Sequence, residues 1–213
     1  DIKIDINNNN QLNKYPNDYW HRNDGKLLPK LTKPEYYTIP SINELKKYNE
    51  TQLTNVIDFG IGHKQFGSVI WKNSSTDVRG LNIDNIIHFE KKAVEVYGCK
   101  DTNGNEIKKP KLGESLNKPA QITLVCWPKT PKSDPNFNSA IKKYAEKLLL
   151  LCKKENGLEF IEYDIKNGKW VFSVQHFTVY GDNDDDEDQQ INNITQSSAL
   201  LKQLPSKKKN KHI

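Results

Sequence analysis

Apolar residues between Val56 and Trp127 come in short β-branched or aromatic runs, separated by clusters of Gly, Asn and Lys. The runs are Val56 to Phe59, Gly67 to Trp71, Ile86 to Phe89, Ala93 to Tyr97 and Ile122 to Trp127, and their length and boundaries predict strands. Ahead of them, Ser41 and Glu44 stand at capping-box spacing and predict a short helix through Leu45 and Tyr48. Further on, Ile141, Tyr144, Ala145, Leu148, Leu149 and Cys152 recur at three and four residues, which predicts one long helix capped by Asn138 or Ser139 and stopped at Gly157. A strand from Phe160 to Tyr163 follows, then an Asn167-Gly168 dipeptide suited to a two-residue hairpin loop, and a last strand from Trp170 onward. Many strands with one long helix before the final hairpin predict an α+β domain around a mostly antiparallel sheet.

The two ends of the chain lack such periods. Residues 1–34 carry an asparagine run and scattered prolines and read as a linker, so the domain is assigned to 35–181. Residues 182–213 form an acidic and then a basic tail. No apolar run is long enough to cross a membrane. The net charge is +5, but only Arg22 and Arg79 among the 32 basic residues are arginine, which disfavours sequence-specific nucleic-acid reading. Cys99, Cys126 and Cys152 are odd in number and never spaced as C-x-x-C, so neither a disulfide framework nor a zinc ribbon is expected. The five histidines do not pair at ligand spacing, the acidic run at Asp182 to Asp188 lacks the glycine and closing glutamate of a calcium loop, and no metal or cofactor is assigned. Gly60-Ile61-Gly62 misses the dinucleotide-binding spacing, the next glycine being Gly67, and reads as part of a turn.

Chemistry is suggested only at the end of the last strand. Alternation puts Trp170, Phe172, Val174, His176 and Thr178 on one face, so an apolar surface ends in an imidazole beside a hydroxyl. A neutral His176 can accept the Thr178 proton, and Oγ1 can then reach the Phe177 carbonyl through a five-membered ring. The amide becomes an ester that water cleaves. Such a step demands a distorted linkage and donors for the oxyanion, which the fold has to supply.

Four segments give this tripeptide a context: YYTIPS at Tyr36 to Ser41, GLNIDNIIHF at Gly80 to Phe89, GESLNKPAQITL at Gly113 to Leu124, and WVFSVQHFTVYG at Trp170 to Gly181. Together and in order they resemble the carboxy-terminal autoproteolytic domain of the GLFG-repeat nucleoporins, the family named for its ninety-eight-kilodalton vertebrate member. The resemblance implies a mostly antiparallel sheet of about six strands flanked by helices, and a place at the nuclear pore complex. It also implies a chain cut after Phe177, with His176 as general base, Phe177 as acyl donor and Thr178 as nucleophile. Threonine replaces the family's serine, and its extra methyl restricts χ1. The partners implied are other nucleoporins, a β-propeller nucleoporin and the segment from Thr178 onward. The alternative is a binding module of the same fold that does not cut. The segments around Asn117 and from Gly60 to Gly67 offer two readings, a source of oxyanion contacts or, more simply, backbone turns that shape the sheet, and neither is assigned a catalytic role.

Overall fold

The computed structural model describes residues 27–98 and 104–177. Six strands form one antiparallel sheet: β1 (Tyr36–Ile39), β3 (Gly60–His63), β4 (Gly67–Ile70), β8 (Ala120–Val125), β9 (Leu158–Asp164) and β10 (Lys169–Val174). Their spatial order is β1-β3-β4-β8-β10-β9, so the expected α+β architecture holds. Two small ribbons stand apart from it, β2 (Val56–Ile57) with β5 (Ser75–Thr76) and β6 (Ile87–Glu90) with β7 (Ala93–Val96). Three short helices, α1 (Ile42–Leu45), α2 (Glu50–Thr54) and α3 (Ile83–Ile86), precede the long α4 (Phe137–Lys154).

Register explains which face is buried. Ile61, Val69, Ile122 and Phe172 pair across four successive strands, and all four are buried. Side chains two residues away on the same strands, Leu124, Trp170 and Val174, join them, as period-two strands require. Helix α4 reaches this side of the sheet: Tyr144 meets Tyr163 edge-on, and Tyr163 is the register partner of Trp170. On the opposite face Tyr37 and Ile39 are exposed.

The capping box of α1 forms as expected. Ser41 Oγ accepts from the Glu44 amide at 3.3 Å, while the Glu44 carboxylate accepts from the Ser41 amide at 2.7 Å. The Ser41 hydroxyl, which donates to the Glu44 carboxylate at 2.7 Å, and then the Ser41 amide lower the Glu44 pKa. Ser41→Ala should cost about 1 kcal/mol, read from the denaturant midpoint at unchanged slope.

Several elements differ from what local pattern predicts. The linker assigned to residues 1–34 gives way to the fold sooner, because Leu28 is buried in the core and Lys30 bridges to Asn82. The Asp84 carboxylate takes both the amide and the hydroxyl of Thr32, at 2.9 and 2.7 Å. The short run Leu27-Leu28-Pro29-Lys30-Leu31, broken by a proline, sustains no period for a sequence reading to detect. The run from Val56 to Phe59 is a strand only as far as Ile57. Asp58 adopts φ 55° and accepts from the Asn73 amide, which turns Phe59 into the core.

Gly60-Ile61-Gly62 is strand rather than turn, since Tyr37 lies across Gly62 where a Cβ would stand 2.3 Å from its ring. Gly67 has φ 137°, and a Cβ there would sit 1.9 Å from the Thr123 carbonyl oxygen, so only glycine lets β4 pair with β8. Part of the expected strand at Ile86 is the end of α3. Helix α4 begins before the expected caps, because Asp134 takes the Asn136 amide at 2.8 Å and Phe137 docks against Trp127. The final hairpin has a four-residue loop, residues 165–168, in place of the expected two. The Asp164 carboxylate accepts from the Lys166 and Asn167 amides and the Asn167 side chain, holding the wider turn.

Lys33 brings its ammonium 3.5 Å from His88 Nδ1. Burial, and then the Lys33 charge, lower the His88 pKa. The unfolded chain therefore binds the proton more readily than the fold does. This contribution is complete above the ordinary histidine pKa of about 6.5 and is lost as pH falls through the lower folded value. The denaturant midpoint should rise between about pH 5 and 7, and less so in His88→Gln.

Candidate active site

The site is built around Trp71, which follows β4 and is fully buried. Its amide donates to the Phe59 carbonyl at 2.9 Å, and its ring stacks on Phe59 with centroids 6.1 Å apart. Its indole Nε1 donates to the Leu116 carbonyl at 3.0 Å. Leu116 thus joins the site to the loop before β8.

That loop is held at each residue. The Leu116 amide donates to Tyr97 Oη at 3.3 Å, and Tyr97 Oη donates to Ser115 Oγ at 3.0 Å. Tyr97 (φ 65°) and Ser115 (φ 50°) are both left-handed without being glycine, a conformation that costs about 1–2 kcal/mol per residue. Burial raises the Tyr97 pKa although both hydrogen bonds oppose it, so the phenol is a neutral donor at physiological pH. Lys118 Nζ donates to the Ser75 carbonyl, and burial lowers its pKa.

Between Leu116 and Lys118 sits Asn117, buried. Its backbone amide donates to the Glu114 carbonyl at 2.9 Å, and its carbonyl accepts from the Gly113 amide at 2.8 Å. Its Nδ2 donates to the Pro110 carbonyl at 2.9 Å, and its Oδ1 accepts from the Phe177 amide at 3.2 Å. The Phe177 ring lies 6.0 Å from Trp71 and the residue is 3% exposed. Phe177 is therefore gripped at its ring and at its backbone nitrogen.

The alternation expected to carry His176 on the Trp170 face does not continue to it. Strand β10 ends at Val174, the Gln175 amide makes a last backbone bond to the Gly157 carbonyl at 3.2 Å, and the chain then bends. Phe177 takes the inward position that strand alternation assigns to His176, because the aromatic ring has more apolar surface to bury against Trp71. His176 is half-buried and makes no hydrogen bond among the described residues, which leaves its imidazole open to a partner. Thr178 lies outside the described residues, as do Cys99 and the tail from 182 onward.

Burial pushes the Cys126 thiol up to about 12 and the Cys152 thiol up to about 11, so neither is a thiolate at neutral pH. Among the described residues no group of three or more His, Cys, Asp or Glu gathers to hold a metal, and no helix is long and apolar enough to cross a membrane.

The sequence profile of the family described as Nup98-96 autopeptidase S59 matches residues 33–181. The chain belongs to this family. Two curated relatives are each called Nuclear pore complex protein Nup98-Nup96. The one from Drosophila melanogaster is 36% identical over 171 residues, and the one from Dictyostelium discoideum is 37% identical over 172 residues. Each match covers 76% of this chain and 8% of the relative's own length, so the chain spans a small part of those proteins.

Among solved structures, a chain of the yeast heterotrimeric Nup82-Nup159-Nup116 nucleoporin complex aligns with a TM-score of 0.54 at 32% identity. That alignment covers 68% of this chain and 98% of that one. The Chaetomium thermophilum Nup145N APD, a threonine-to-alanine mutant fused to Nup145C N, aligns with a TM-score of 0.52 at 31% identity, covering 70% and 98%. As a Nup98-96 autopeptidase domain, the chain is a nucleoporin segment and its place is the nuclear pore complex.

Trp71 falls within the expected strand run from Gly67, but its contact with Phe177 escapes a reading based on period, as does the role of Asn117. Asn117 meets Phe177 across 60 residues from a polar loop without repeat, and the only sequence signal is its place within one of the four family-like segments.

Proposed function

We propose that this autopeptidase domain cuts its own chain once, between Phe177 and Thr178, and holds the parent nucleoporin at the pore. His176 takes the Thr178 hydroxyl proton as Oγ1 attacks the Phe177 carbonyl carbon. The Oγ1–C bond forms, the C–N bond breaks, and the proton passes to the Thr178 nitrogen. The product is an ester with a free amine. Water then attacks the same carbonyl carbon, leaving Phe177 as a carboxylate and restoring the hydroxyl. The burial of Phe177 against Trp71 carries this reading, because it holds the acyl group still at the end of a rigid sheet while His176 stays open.

For partners, the Nup116 relative stands in a complex with Nup82 and Nup159, which supports docking of this domain to other nucleoporins. The finer expectation is a β-propeller nucleoporin and the segment that begins at Thr178. Intact mass under denaturing conditions tests the cut. The 24.6 kDa chain should appear as two species of about 20 and 4 kDa, from 177 and 36 residues. One species at full mass after days at neutral pH would leave the non-cutting binding module as the function.

A further inference from the structure

Once the ring and the amide nitrogen of a residue are both fixed, its φ and χ1 are set, and ψ alone still moves its carbonyl group. Phe177 meets this condition in the fold. Trp71 faces its ring, and Asn117 Oδ1 takes its N–H at 3.2 Å. Both contacts run through one short stretch, since Leu116 accepts from the Trp71 indole and the next residue is Asn117. The Asn117 amide cannot turn over freely: its NH2 is committed to the Pro110 carbonyl, which leaves Oδ1 as the atom facing Phe177. The two left-handed residues, Tyr97 and Ser115, bond to each other beside this stretch, so the fold bears strain next to the element that grips the acyl donor.

We infer that Asn117 is a positioning residue for the self-cleavage proposed above, holding the acyl donor Phe177 by its amide so that the carbonyl is presented to the Thr178 hydroxyl. The inference rests on that cleavage reading. Asn117 bonds the nitrogen on the far side of Phe177 from the scissile bond, so it acts through the placement of Phe177 and not on the reacting atoms. Loss of such placement, of the order of an ångström, slows an intramolecular attack by about 10–100-fold.

Cell-free translation of the full chain, with the uncut fraction sampled over time, measures this. Asn117→Ala removes both bonds and should slow cutting by about 10–100-fold. Asn117→Asp keeps an acceptor for the Phe177 amide but sets a carboxylate against the Pro110 carbonyl. It should cut within a few-fold of wild type while melting no higher than Asn117→Ala. A purely structural role would make the cutting rates follow the melting temperatures. Asn117→Ala cutting at the wild-type rate, or Asn117→Asp cutting no faster than Asn117→Ala, overturns the inference and leaves the cleavage reading standing. A wild-type chain that never cuts overturns both.

Discussion

Thr178→Ala should leave the chain whole at 24.6 kDa under conditions where wild type is two fragments. The expected effect is complete because in the proposed cut the side-chain oxygen is itself the attacking atom, and no neighbouring group makes a five-membered ring with the Phe177 carbonyl. Thr178→Ser keeps that oxygen and frees χ1 of its β-branch, so it should cut at least as fast as threonine. His176→Ala removes the proton acceptor and should slow cutting by about 10²–10⁴-fold without stopping it, since water can take the proton less well. A time course of intact mass for the three variants and wild type checks the whole order. Thr178→Ala appearing as two fragments cut after Phe177 would remove threonine from the mechanism.

Trp71→Ala is expected to be the most damaging change to the fold itself. Trp71 is fully buried, stacks on Phe59, faces Phe177 and donates to the Leu116 carbonyl. Its removal leaves a cavity that a sheet on one side and a pinned loop on the other cannot fill, at a cost of about 3–5 kcal/mol. It also leaves a buried carbonyl without its donor. Cutting should fall with it, because the ring contact that seats Phe177 is gone. Trp71→Phe separates the two effects. It keeps most of the apolar contact and loses only the indole bond, so it should cost about 1–3 kcal/mol and retain more of the cleavage rate. Chemical denaturation of both variants beside their cleavage time courses gives the comparison. A Trp71→Ala chain as stable as wild type would show that the site does not rest on this residue.

How much could be read without the fold depends on the range of each interaction. The Ser41 and Glu44 pair is legible because a capping box closes within three residues. The period of α4 is legible for the same reason, although its start moves to Phe137 once Asp134 and Trp127 enter. The proposed tripeptide His176, Phe177 and Thr178 is legible because the ring that would join Thr178 Oγ1 to the Phe177 carbonyl is a matter of covalent connectivity. Gly60-Ile61-Gly62 is misread as a turn because glycine signals backbone freedom equally well in a loop and in a strand crossed by a ring. Only the approach of Tyr37 decides between them. Leu28 is misread because three leucines broken by Pro29 are too few to sustain a period, yet Leu28 finds a place in the core and Leu31 packs against it.

By itself, then, the sequence determined the α+β class, the long helix and most of the strand runs, and it set His176, Phe177 and Thr178 side by side, all of which is short-range. The tertiary structure decided which of the last residues turns inward. Strand alternation alone would bury His176, whereas the bend after Val174 buries Phe177 and leaves the imidazole half-exposed. It decided also that Asn117, 60 residues away, holds the amide of Phe177. Contacts of that separation depend on where the sheet places two loops, and a pattern that decays within a few residues carries no record of them.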